Sequence, residues 1–333
     1  IRFKMNVLIT GGAGFIGSHL VDFLIKKKNI KNVIVIDNIK DGSLKNLKNS
    51  SKSKKFSFYK KDIRNFKKIK NIFKGVDIVF HLAALSDVVP SIEEPIEYLD
   101  TNIMGTVNVL EAMRKNRVKK IIYAASSSCY GIPKKYPTNE NSKINPIYPY
   151  AFSKNIGEQA IQHWSKTYKL DFVSLRLFNV YGTRSRTNSA YGAALGVFLK
   201  QKLSNHPFTI IGNGNQKRDF IYISDVVNAF YLSTKKNVKN IILNIGSAKP
   251  RSVIEMVNIL KGDKIFIPKR PGEPNITHAN INKASSTLKW KPKTSLEEGL
   301  KIVLTNIFYW KKAPLWTKNK IKLATKTWFK YLK

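Results

Sequence analysis

The 333-residue sequence predicts an α/β fold, a doubly wound parallel sheet with helices on both faces and a smaller C-terminal lobe. Three observations predict it. Short β-like runs alternate with amphipathic helical stretches through the first half. Several of the runs (VLIT, VIVID, DIVFH) are apolar throughout, and the rhythm breaks near Gly182 into shorter, turn-punctuated segments. Such alternation requires crossover helices on a parallel sheet. Strands with no polar side belong where both faces are buried.

In chain order, strands are expected at 6–10, 32–37, 56–59, 77–81, 120–124 and 172–177, with helices at 14–28, 66–73, 95–114 and 148–168. Beyond Gly182, Gly212-Asn213-Gly214 and Pro271-Gly272-Glu273-Pro274 punctuate a lobe over the sheet's C-terminal edge, where open α/β sheets bind ligands. The chain therefore divides into 1–180, then 181–310 with some segments returning to the first domain, then a basic extension at 311–333. Its last stretch, PLWTKNKIKLATKTWFKYLK, reads as one helix with Ile321, Ala324, Trp328 and Leu332 on one face. That face either docks on the body or binds another surface.

Composition sets limits. A hydrophobic content of 43% suits a globular chain. No apolar run approaches the roughly 20 residues of a membrane-spanning helix, and Val7-Leu8-Ile9 is too short for a secretory signal. The single cysteine excludes an internal disulfide framework and suits a reducing cytoplasm. Lys+Arg 59 against Asp+Glu 21 gives a net charge of +38. The excess is mostly lysine, comes with many asparagines and isoleucines, and is spread along the chain. Compositional drift explains that better than nucleic-acid binding, although the positive field still attracts anionic small molecules.

TGGAGFIGSHL follows the first strand and opens a helix, with Gly11, Gly14 and Gly17 spaced three apart. Glycine is needed because the turn is tight and backbone must approach a pyrophosphate, which the helix N-terminus then receives. Asp37 closes the next strand, where a carboxylate accepts both ribose hydroxyls and repels a 2′-phosphate. This is a Rossmann-type fingerprint for NAD. Phe15, Ile16 and Asn38 lie beside it. Asp62, with Ile63, is a candidate for the adenine amine, and Leu82, Ala83, Ala84 and Asn102 are further cofactor candidates. His81 reads as a packed strand-end histidine.

Tyr150 and Lys154 stand one helical turn apart, so phenol and ammonium share a face. A neighbouring ammonium and a cationic nicotinamide are expected to lower the phenol's pKa from its usual value near ~10 towards that of a base. Ser126, Ser127 and Ser128 precede the pair in YAASSSCYG.

These stretches, with HLAAL, TNIMGTVNVLEA, YPYAFSK, LRLFNVYG, GNGNQKRDFIYISDV and RPGE, resemble the extended short-chain dehydrogenase/reductases, above all the nucleotide-sugar epimerases. The resemblance runs in family order to about Trp310. It implies a catalytic serine at Ser126, a general base at Tyr150 partnered by Lys154, and a substrate-diphosphate contact at Asn179. Arg218 and Arg270 match arginines that grip the nucleotide, with Glu273 beside them, which suits fork-shaped donors. Ser127 and Ser128 fall at the sugar. The implied reaction is transient oxidation of a UDP-hexose or UDP-N-acetylhexosamine to a 4-keto sugar, which turns and is re-reduced on its other face.

Sister reactions are the alternatives. Dehydratases of this family carry Asp-Glu where Ser127 and Ser128 stand, so elimination lacks its acid/base. The decarboxylases' arginine context is not evident in PIYPYAFSK. A non-catalytic NAD-binding regulator is a more distant alternative, and the intact Tyr150–Lys154 pair speaks against it. The small Thr277, seven residues past Arg270, resembles the version that admits N-acetylated sugars. No metal is expected. A homodimer through helices 95–114 and 148–168 is carried by analogy.

Overall fold

The computed structural model describes residues 4–185 and 194–332. Lys333, the last residue of the expected terminal helix, falls outside them, as do 186–193 of the expected lobe. A seven-stranded, wholly parallel sheet forms the centre, in the order 3-2-1-4-5-6-7. Its strands are β1 (Met5–Thr10), β2 (Ile30–Asp37), β3 (Phe56–Lys60), β4 (Ile78–His81), β5 (Lys120–Ser126), β6 (Asp171–Leu177) and β7 (Ile241–Ile245). The first six coincide with the expected strands to within two residues. β7 is supplied by chain beyond residue 180.

Period-two alternation sends β1 side chains to two cores. Val7 and Ile9 meet Leu20, Val21 and Leu24 of α1 (Phe15–Ile25) on one face. Leu8 meets Val109, Leu110 and Met113 of α2 (Gly105–Lys115) on the other. Each such fully buried side chain contributes about 1.5–3 kcal/mol. Order reverses between β1 and β4, which leaves a crevice at the strands' C-terminal ends.

The long helix expected at 95–114 is interrupted. Pro95–Leu99 is α-helical, Asp100–Met104 forms a π-helical turn, and α2 follows. Such bulges mark functional sites, and this one carries Asn102. α3 (Pro149–Tyr168) starts with proline at a position that needs no N–H donor.

The smaller lobe contains α4 (Ala194–Leu203), α6 (Val253–Leu260) and α7 (Leu296–Thr305), whereas α5 (Ile223–Leu232) returns to pack on α1 and the central sheet. Ser252 with Glu255, and Ser295 with Glu298, close capping boxes on α6 and α7. Three short strand pairs join the lobe: Asn179–Tyr181 with Phe220–Tyr222, Phe208–Ile211 with Lys264–Ile267, and Lys217–Arg218 with Arg251–Ser252.

The terminal helix is two helices, α8 (Lys318–Ala324) and α9 (Lys326–Tyr331). They break at buried Thr325, whose hydroxyl donates to the Lys322 carbonyl at 3.1 Å. Bonding back to the preceding turn offers the backbone an alternative to the helical ladder. Ile321 and Trp328 are 4% and 5% exposed, so the apolar face docks on the body.

Candidate active site

The crevice is lined first by backbone. Gly11 has φ +70°, and a Cβ there would lie 2.7 Å from the Ala83 backbone; one on Gly17 would lie 2.2 Å from the Gly11 carbonyl oxygen. Glycine is therefore required twice, by close approach and by the left-handed conformation. Gly14 begins α1 with no side-chain cap and no acid in the first turn. Gly14, Phe15, Ile16 and Gly17 line the cleft, so this positive helix end opens onto it.

Asp37 is buried at the end of β2. Its Oδ2 accepts the Ala13 N–H at 2.9 Å and its Oδ1 accepts the Ile39 N–H at 2.8 Å. Burial pushes its pKa up against those two bonds. Asp62 accepts from Arg64 at 2.7 Å and from the Asn38 amide at 2.9 Å. Although desolvation opposes them, these partners hold its carboxyl at about 2. Asn38, Ile63, Leu82, Ala83 and Ala84 also line the cleft.

Asn102 does not. It is 1% exposed, its Oδ1 accepts the Leu85 N–H at 2.8 Å, and its Nδ2 donates to the Leu85 carbonyl and to Ser153 Oγ. Expected as a cofactor ligand, it sits behind the loop at 82–86 and fixes that loop's backbone, because its amide is fully committed within the protein. His81 is buried between Thr10 and Thr106, at 2.7 and 2.9 Å. Burial lowers its pKa to about 3, so it is neutral.

The reacting cluster forms where β5 and α3 meet this cleft. Ser126 ends β5, and its Oγ caps the turn Ser127–Tyr130 by accepting the Ser128 N–H at 3.2 Å. Ser126, Tyr150 and Lys154 share the cleft with the glycine turn. Burial dominates the titration of both partners. It raises the Tyr150 pKa, with neighbouring Ser126 opposing, and lowers that of Lys154 to about 7. The expected fall of the phenol's pKa is thus not produced by the protein's own groups, since Lys154 is itself pushed towards neutrality. Its Nζ lies 4.1 Å over the Tyr123 ring.

Beneath the cluster, Arg176 and Glu158 form a buried ion pair at 2.5 Å. Glu158 also accepts from Ser174 at 2.6 Å, and Arg176 donates to the Tyr130 hydroxyl at 2.9 Å. β6, α3 and the serine turn are thereby locked together. Cys129, in the same turn, is 2% exposed and burial pushes its thiol up to about 12, so it is inert.

Asn179, Arg218, Arg270 and Glu273 meet in an adjoining section of the cavity, in the smaller lobe. Arg218 donates to Glu273 at 2.8 Å. Thr277 lies behind Asn179, donating to its Oδ1 at 2.8 Å and accepting the Asp219 N–H at 2.9 Å. Ser127 and Ser128 are half-buried, and Ser128 Oγ lies 2.7 Å from Ser126 Oγ. Sequence reasoning missed Tyr148, which stacks on Tyr150 at 6.4 Å. The YPY spacing was its signal. Asp87 also lines the cofactor cleft, without any motif to flag it.

A phenol and a hydroxyl held over a nucleotide-binding turn suit reversible oxidation of a carbinol, which makes this an α/β enzyme of the short-chain dehydrogenase type. The chain belongs to the NAD dependent epimerase/dehydratase family, whose model matches residues 7–246. It is 36% identical over 331 residues to a UDP-glucuronate 4-epimerase of Thermodesulfobacterium geofontis, covering 95% of this chain and 97% of that one. A UDP-N-acetylglucosamine 4-epimerase from Methanobrevibacter ruminantium M1, solved with UDP-N-acetylmuramic acid, superposes with TM-score 0.84 at 33% identity, covering 91% and 99%. A UDP-glucose 4-epimerase from Thermotoga maritima, solved with UDP-glucose, gives 0.84 at 34%, covering 92% and 99%.

NAD is the cofactor, and these residues fit it. The space that Cβ atoms at Gly11 and Gly17 would fill is left to backbone, the α1 terminus is uncapped, and an acid closes β2. No helix among the described residues is long and apolar enough to cross a membrane. No cluster of three or more metal-ligating side chains occurs among them.

Proposed function

We infer that the protein is a UDP-sugar 4-epimerase working through a transient 4-keto sugar. The observation that carries this is that Ser126, Tyr150 and Lys154 line the same cleft as the glycine turn and Asp37, with the arginine-bearing pocket next to it across Val180. Bound NAD supplies a reversible hydride acceptor. Tyr150 takes the proton of the sugar's C4 hydroxyl, and Ser126 hydrogen-bonds the same oxygen. Arg218 and Arg270 hold the diphosphate as fork-shaped donors, with Asn179 beside them. Anchored there, the keto sugar turns its ring while Tyr150 keeps the proton for return. Ser127 and Ser128 offer no acid for elimination, which argues against dehydration.

Chain segment and role follow the same division. Residues 1–180 bind NAD and carry Ser126, Tyr150 and Lys154; 181–310 chiefly bind the sugar nucleotide. The sugar is a hexose or an N-acetylhexosamine. Incubation with UDP-glucose, UDP-N-acetylglucosamine and UDP-glucuronate, read by NMR, tests both reaction and substrate; dehydrated or decarboxylated products would refute epimerisation. The small residue at Thr277, which supports Asn179 from behind, matches the family version that admits N-acetylated sugars. Thr277→Tyr is expected to abolish turnover of the acetylated sugar selectively, and equal loss on both sugars would contradict that reading.

The active form is a homodimer. Ile96, Met104 and Phe152 are 81%, 50% and 45% exposed, and they lie on the two helical regions expected to pair. Ile96→Glu with Met104→Glu should yield a monomer in sedimentation; an unchanged dimer would place the interface elsewhere.

A further inference from the structure

Residues 318–331 lie beyond the stretch that carries the family motifs, yet they reach the substrate pocket. Ile321 of α8 lines it together with Arg218, Arg270 and Glu273, and packs on Ile267. One turn into α9, the Trp328 indole N–H donates to the Pro271 carbonyl at 2.7 Å. The Arg270 guanidinium lies 5.8 Å from the Trp328 ring centroid, within cation–π range. The indole also meets Tyr148 at 6.2 Å, and Tyr148 stacks on Tyr150. Thr327 donates to Glu93 at 2.8 Å, at the end of the helix Val88–Glu93 that begins beside cleft-lining Asp87. At its root the segment is tied to the smaller lobe, where the Trp316 carbonyl accepts from buried Gln201 at 2.7 Å.

The segment therefore spans from the smaller lobe to the NAD-binding domain, touching both the arginine loop and the tyrosine pair. We propose that residues 318–331 are a wall of the sugar-nucleotide site, in which Trp328 is a positioning residue for the Arg270 loop and keeps the oxidised sugar from escaping. This rests on the reading of the site as a UDP-sugar 4-epimerase. Retention matters because the reaction is only half complete at the ketone. The C4–H bond has broken and its hydride is on the cofactor, while the hydroxyl proton is on Tyr150. If the keto sugar departs at that point, those two electrons remain on bound NADH and the enzyme molecule stops.

The test uses the full chain loaded with NAD and compares wild type with Trp328→Ala, Trp328→Phe and Thr327→Val. Thr327→Val is nearly isosteric and cuts only the hydroxyl bond to Glu93, so it separates strap function from folding. Trp328→Ala is expected to raise KM about tenfold with a smaller change in kcat, and Trp328→Phe and Thr327→Val to raise it about threefold. Reduced-nicotinamide absorbance should accumulate during turnover by Trp328→Ala, as activity decays in step. Wild-type KM with no NADH build-up in both Trp328→Ala and Thr327→Val would overturn the proposal. If the wild-type protein turns over no UDP-sugar, the epimerase reading fails first. UDP titrated by calorimetry then decides: weaker UDP binding in Trp328→Ala sustains the wall, and equal affinity overturns it.

Discussion

The two halves of the cleft recognise their ligands by different means. On the NAD side the surface is largely main chain: the left-handed turn at Gly11, the uncapped start of α1, and the loop at 82–86 that Asn102 clamps from behind. On the side we propose for the sugar nucleotide it is made of side chains, the Arg218–Glu273 pair, Asn179 held by Thr277, and Arg270 beside Trp328. Backbone fixed within a strand–turn–helix unit has little freedom and tolerates no added atoms. Long side chains from separate loops can be exchanged singly, which suits a surface that sets specificity. A family whose members share NAD and differ in sugar would place constancy and variation in this way.

The largest effect is expected at the junction of the halves. Tyr150→Phe should lower kcat about a thousandfold while leaving NAD and UDP affinities near wild type by calorimetry. A near-native rate would remove Tyr150 from its role. On the backbone side, Gly11→Val must place a β-branched side chain at φ +70° and against Ala83. It should strip NAD from the purified protein and cost several kcal/mol, of the order expected for overpacking plus strain. Retained cofactor would break the claim that main chain makes this half.

Beneath both halves, Arg176→Met leaves buried Glu158 without its partner and should destabilise by about 3–5 kcal/mol in chemical denaturation. On the side-chain half, Arg218→Lys should raise KM about tenfold with bound NAD unaffected, since a point charge replaces a fork. Loss of NAD in that variant would mean the halves are not independent.

A last effect, small over any one pH unit, concerns pH. Burial depresses the Lys154 pKa from 10.5 to about 7, so across that window the unfolded chain holds a proton that the folded one does not. Stability from this group therefore rises with pH from about 7 upward, by at most about 1.4 kcal/mol per unit. Comparing denaturation of wild type and Lys154→Met at several pH values isolates it. A difference that falls with rising pH would reverse the assignment.

Much of the cofactor half was legible in the chain because its parts are contiguous. Gly11 to Gly17 and Asp37 sit in one β–α–β unit, and Tyr150 and Lys154 in one helical turn. Asn102 was misplaced because a buried amide facing loop backbone and an amide facing a ligand look alike in sequence. The spacing of Tyr150 and Lys154 records the neighbouring ammonium but not the burial, which raises the phenol's pKa where the protein's own groups act alone.

By itself, then, the sequence determined the parallel sheet, the nucleotide turn and the shared face of Tyr150 and Lys154, since local periodicity and short spacing encode them directly, while Ser126 came from the family resemblance. Only tertiary structure decided that β7 returns from beyond residue 180, that Thr277 stands behind Asn179, and that α8 and α9 dock where Ile321 and Trp328 reach the substrate pocket. Those contacts join residues far apart in the chain, and their geometry depends on how whole elements pack rather than on any local pattern.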